Sequence, residues 1–105
     1  METVLSGLRA AAEATRLRLL LLCARGELTV SELTDILGQS QPRVSRHLKL
    51  LCDAGLLDRF REGTWVFYRL AERGRAAELA TRICSSVPAD DPTVVLDDAD
   101  RKSVV

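Results

Sequence analysis

The stretch from Leu28 to Pro42 constrains this chain more than any other, because a helix start, a helix stop and a second helix start succeed one another there with almost nothing between them. Thr29 stands three residues before Glu32, the spacing of a capping box, and Leu33, Ile36 and Leu37 continue it as an apolar face. Gly38 can take the left-handed conformation that ends a helix, Ser40 supplies a fresh N-cap, and Pro42 fits the first turn of a second helix. The spacing predicts two short helices joined by a sharp turn. In the second, Val44, Leu48 and Leu51 fall on one face, and Arg43, Ser45, Arg46, His47 and Lys49 occupy the rest of the circumference.

That polar arc suits the major groove of DNA. Arginine pairs in a bidentate way with guanine, glutamine with adenine, and hydroxyl residues reach base edges or phosphate. Gln41, Arg43, Ser45, Arg46 and His47 are the candidate readers and Lys49 a candidate phosphate contact, the alternative being an ordinary solvated face. Past Gly55, residues 56–61 read as a strand, Glu62-Gly63 as a tight turn and residues 64–70 as a returning strand rich in branched and aromatic residues. Arg59, Arg61, Glu62 and Thr64 sit at the tip, where a groove or phosphate contact is feasible. Leu57, Val66, Tyr68 or Leu70 can close the core, and Trp65, Phe67 and Tyr68 are expected to pack, since a lone hairpin needs an apolar face to hold it down.

The run from Leu17 to Leu70, and above all SQPRVSRHLKLLCDAGLL joined to GTWVFYRL, resembles the winged-helix repressors of the ArsR/SmtB family over about residues 4 to 86. The resemblance implies a mainly α fold with a small β-hairpin, in the order α-α-α-α-β-β-α, dimerising through its first and last helices. It implies that Ser40, Gln41, Arg43, Ser45, Arg46 and His47 belong to the reading segment and Arg59, Arg61 and Thr64 to the wing. The expected partners are double-stranded operator DNA and a second copy of the chain. Repression would then be relieved by an unidentified small-molecule or redox effector. A winged-helix interaction module that no longer reads DNA is the competing class.

The outer segments fit such a dimer. Val4, Leu5, Leu8 and Ala12 make a small apolar stripe, and Ala76, Leu79, Ala80 and Ile83 a second, so the two are the expected interface. Between them, Leu17 and Leu19 to Leu22 are apolar nearly all round and predict a buried central helix, with Thr15 as its expected cap. At 105 residues the chain allows one domain with a modest core, which makes dimerisation physically attractive. Its formal net charge is zero, yet residues 39–70 hold six Arg or Lys against three Asp or Glu, and residues 71–105 hold five against seven. Local positive potential at the reading unit matters more than the balance.

Several functions are disfavoured. One histidine, no nucleophile paired with an oriented base and no held carboxylate dyad argue against an enzyme, and no glycine-rich nucleotide loop argues for a cofactor. Three scattered cysteines give neither a metal site nor a disulfide framework, and the family's usual soft ligands are replaced by Thr29, Val30 and Ser31. The resemblance makes Cys23 and Cys84 the candidate pair for a thiol switch, each displaced by a few positions from the family's sensor pattern. No apolar run reaches the length of a membrane span and no leader is evident, so a cytoplasmic location with no membrane partner is expected. Residues 1–86 are read as the DNA-binding and dimerisation domain, and residues 87–105 as a flexible acidic tail or linker. The junction ICSSVPADDP resembles that of repressor domains related to those joined to S-adenosylmethionine-dependent methyltransferases, which implies a regulatory link to methylation, with S-adenosylhomocysteine a candidate effector.

Overall fold

The local signals read from Thr29 to Pro42 are realised as hydrogen bonds. In the computed structural model, which describes residues 1–103, the Thr29 hydroxyl accepts from the Glu32 amide at 3.2 Å and the Glu32 carboxylate accepts from the Thr29 amide at 2.9 Å. This box opens helix α3 (Val30–Leu37), which Gly38 closes at φ 66° and ψ 28°. Helix α4 (Gln41–Asp53) comes next with Ser40 at its N-cap and Pro42 in the first turn, although the Ser40 side chain makes no capping bond. Gln39 in the turn donates to the Thr15 hydroxyl at 3.1 Å and so ties the turn to an earlier helix.

The helix carrying Thr15 is α2 (Ala14–Ala24), preceded by α1 (Glu2–Ala11). Thr15 does not cap α2: the Glu13 carboxylate accepts from the Arg16 amide at 2.8 Å, and Thr15 lies buried inside the helix. Leu19, Leu20 and Leu22 of α2 meet Leu33 of α3 and Val44, Leu48 and Leu51 of α4 in one core, all of them essentially sealed from solvent. Each such side chain contributes about 1.5–3 kcal/mol of transfer free energy. The core therefore fixes α4 by its inner face and leaves its polar arc outside.

Strands β2 (Leu57–Glu62) and β3 (Trp65–Leu70) pair antiparallel from Leu57 opposite Leu70 to Glu62 opposite Trp65, which puts Gly63 and Thr64 in the turn. A short strand β1 (Leu28–Thr29), not anticipated from the sequence, pairs with β3 on its other side and gives the order β1-β3-β2. Leu57 and Tyr68 join the core, with Val66 and Leu70 packed against it. Phe67 stacks on Phe60 at 5.6 Å between ring centroids, and the Arg69 guanidinium lies 4.5 Å over Phe60. Trp65, expected to pack, is instead 61% exposed, because alternation along β3 turns Val66, Tyr68 and Leu70 to the core and Trp65 to the opposite face.

Helix α5 (Ala77–Ser85) crosses α1 closely: a side-chain carbon on Gly7 would fall 2.6 Å from Leu79 Cδ2, so only glycine fits that crossing without a shift. The largest departure from expectation lies beyond it. Residues 92–103 form helix α6 (Pro92–Ser103) packed on α2 and α3, where a mobile acidic linker was expected; Val104 and Val105 of that expected tail lie outside the described residues. Arg18 donates to Asp97 through Nε at 3.0 Å and Nη2 at 2.8 Å, with Asp97 only 5% exposed. Arg25 pairs with Asp98 at 3.0 Å, Arg101 donates to the Leu22 carbonyl at 2.6 Å, and Val94 is buried. Of the acidic residues that suggested a solvated tail, Asp97 and Asp98 are matched by Arg18 on α2 and Arg25 at its C-terminal end.

Candidate nucleic-acid interface

Helix α4 presents Gln41, Arg43, Arg46 and Lys49 to solvent, with Ser45 and His47 partly covered. Val44, Leu48 and Leu51 at the intervening positions are fully buried, so the arc cannot roll inward without opening the core. Ser40 is exposed at the helix N-terminus, beside which the unpaired first-turn amides favour an anion. Arg43 and Arg46 make no ion pair among the described residues, whereas Lys49 reaches Asp53 one turn on at 2.8 Å, a contact that raises the lysine pKa. A surface pair of this kind is weak and readily exchanged for a phosphate.

The hairpin supplies the second half of the surface. Arg59 pairs with Tyr68 and Arg61 with Val66, so both arginines lie on the hairpin face that carries Leu57 and Tyr68 inward, and both are exposed beyond the end of the core. They therefore lie on the helical side of the wing. Thr64 is exposed at the turn with Gly63, whose φ of 61° suits the tight reversal.

The proposed dimer residues divide. Val4, Leu5 and Leu8 remain 47%, 37% and 45% exposed on one face of α1, and Ala12 is exposed just past its end. Leu79 and Ile83 are partly covered. Ala76 and Ala80 are not available: both are buried in the protomer's own core, Ala80 completely. A helical stripe in the sequence marks an apolar face without saying whether it meets its own chain or another.

The cysteines are unsuited to easy ionisation. Burial pushes the Cys23 thiol up to about 12 and the half-buried Cys84 and Cys52 thiols to about 11. A reactive thiol needs the opposite shift. Cys84 borders a cleft of about 420 Å³ with Leu21, Val87 and Val94, and Cys23 lies in the core beneath. Among the described residues no three His, Cys, Asp or Glu side chains converge as a metal site would require, and no helix is long and apolar enough to cross a membrane.

A helix-turn-helix locked by one core, with a basic antiparallel hairpin after it, defines a winged helix-turn-helix. The family model for bacterial regulatory proteins of the arsR family matches residues 13–59. The chain is 36% identical over 77 residues to the arsenical resistance operon repressor of Bacillus subtilis, covering 72% of this chain and 73% of that one. It belongs to the arsR family. It is also 57% identical over 60 residues to the arsenic resistance transcriptional regulator ArsR1 of Pseudomonas putida, covering 56% of this chain and 47% of the relative. The chain spans about half the length of the first curated relatives it matches. Among solved structures, the homodimeric winged helix-turn-helix DNA-binding domain Mb0332 of Mycobacterium bovis superposes with a TM-score of 0.70 at 31% identity, covering 80% of this chain and 73% of that one. These relatives are transcriptional regulators rather than enzymes.

Proposed function

We propose that the chain acts as a homodimeric, sequence-specific DNA-binding repressor of transcription. The observation that carries this reading is the outward arc of α4, with Gln41, Arg43 and Arg46 exposed over a sealed inner face and Arg59 and Arg61 on the adjoining wing. Two copies place their α4 helices in successive major grooves, and each wing tracks the flanking backbone. Ser45 and His47 complete the reading segment, with Lys49 and Thr64 on phosphates. Val4, Leu5 and Leu8, joined by Ala12 and the exposed parts of Leu79 and Ile83, form the dimer face. The experiment is selection of bound duplexes from a random pool at controlled salt and reductant. An inverted repeat is the expected product, and no enrichment at low salt overturns the proposal.

The effector is separate from DNA reading. The names of the relatives suggest arsenic, but a thiophilic metalloid needs converging thiolates, and among the described residues no three Cys, His, Asp or Glu side chains converge on one point. The donor set does not fit such a ligand. An organic effector that alters the angle between the two reading heads suits the chain better, since none of the three thiols is held in an activated state. Kinship with repressor domains joined to methyltransferases is supported by the junction at residues 83–92 alone, and the intact mass of the natural gene product tests it.

A further inference from the structure

The guanidinium of Arg16, on the first turn of α2, bridges two elements that a groove otherwise separates. Its Nε donates to the Ala10 carbonyl, one of the orphan acceptors at the end of α1, and its Nη1 lies 3.2 Å from His47 Nδ1 on α4. Arg16, Ala10, Arg9, Leu50 and Asp53 border the groove, about 350 Å³ in volume, that opens between α1 and α4. The guanidinium has only donors and keeps its proton, so the Nδ1 facing it must be the acceptor. A histidine that accepts at Nδ1 is neutral and carries its proton on Nε2, because the bond made by one ring nitrogen sets the state of the other.

We propose that Arg16 is a positioning residue for DNA reading: it fixes His47 as a neutral Nε2–H donor to a hydrogen-bond acceptor of the duplex and, through Ala10, registers that donor against α1. The inference rests on the DNA-reading proposal above. His47 lies one turn beyond Arg43 on α4 and keeps part of its surface in solvent. The chemistry selected is an acceptor without a proton. In a duplex that is a purine N7, a guanine or thymine carbonyl oxygen, or a phosphate oxygen, and not the amino group of adenine or cytosine. The same guanidinium makes α1, with its exposed Leu5 and Leu8, part of the support of the reading helix. A change in the seating of α1 is thereby transmitted to the donor.

The test uses the whole chain, whose single histidine gives an unobscured imidazole signal. Long-range proton–nitrogen spectra at about pH 8, well above an ordinary histidine pKa, are expected to show His47 protonated at Nε2 alone. In Arg16→Met, and in Arg16→Lys as the charge-preserving variant, the separation between the two ring nitrogens is expected to narrow as the second tautomer gains population. Affinity of Arg16→Met for the selected duplex is expected to fall about tenfold, the scale of one hydrogen bond. His47→Phe is expected to lose as much, and adding Arg16→Met to it to cost little more. A flattened preference at one base step on His47→Phe assigns the acceptor to a base edge, and a uniform loss assigns it to phosphate. A proton on Nδ1 in the parent chain, an unchanged imidazole spectrum in both Arg16 variants, or fully additive losses overturn the inference. Should the parent chain enrich no duplex, DNA reading fails, and the nitrogen spectra still decide the Arg16–His47 bond.

Discussion

Arg43 and Arg46 differ from Lys49 in what they are free to do. The two arginines have no ionic partner among the described residues and can present both donors of the fork to a guanine, whereas Lys49 is a point charge held near Asp53. Alanine at Arg43 or Arg46 should therefore cost about 1–3 kcal/mol of specific binding and relax preference at one base position. Alanine at Lys49 should weaken binding evenly across sequences and reduce the logarithmic salt slope by about one. Competition titrations against base-substituted duplexes at several salt concentrations separate the two outcomes. The thiols carry a different prediction at the same scale. Cys23 titrates near 12 in the folded chain against 9.0 for an ordinary thiol, so the folded state holds its proton the more tightly. The stability this gives is complete below about pH 9 and is lost as pH rises toward 12, in the direction set by proton linkage. Denaturant midpoints should fall as pH rises above about 9, and should fall less in Cys23→Ala.

At the scale of elements, α6 and the α3–α4 unit show opposite relations between sequence and structure. Thr29, Glu32, Gly38 and Pro42 act on residues within one turn of themselves, so the helix boundaries they set are readable without the rest of the chain. The partition of Ala76 and Ala80 into the protomer core, the outward Trp65 and the strand at Leu28 depend on what lies across the fold, and no local pattern states it. Helix α6 is an intermediate case. Asp91 accepts from the Thr93 amide at 2.9 Å, Pro92 takes the first helical position and Arg101 with Lys102 sits in the last turn, all ordinary helix-boundary chemistry. The acidic composition concealed it, because the neutralising Arg18 and Arg25 are distant in the sequence. Asp97→Ala should destabilise the fold by about 2–3 kcal/mol, less than the roughly 3–5 of a sealed pair because Arg18 keeps 27% of its side chain in solvent. Calorimetry checks the value, and a loss below about 0.5 kcal/mol would show that α6 does not hold the pair in solution.

For the whole molecule, the decisive quantity is how two copies meet. The exposed Val4, Leu5 and Leu8 make one continuous face on α1, while the inner stripe of α5 is already used within the protomer. Leu8→Glu should shift sedimentation from dimer to monomer with little loss of helix content, since Leu8 is outside the core. Affinity for an inverted repeat should fall by at least about tenfold in that variant, because the second head no longer binds at high effective concentration. Unchanged sedimentation would place the twofold contact elsewhere.

The pairing of Arg18 with Asp97 spans 79 residues of sequence and joins an early helix to a late one. During synthesis, α2 and the helix-turn-helix leave the ribosome well before residue 97 does, so Arg18 waits as a cation at the margin of an unfinished core. Local helical contacts form early, and the long closure comes last. A nascent chain arrested between α5 and α6 should therefore hold native-like helices yet yield to protease at α2. Release of α6 then closes the contact between Arg18 and Asp97.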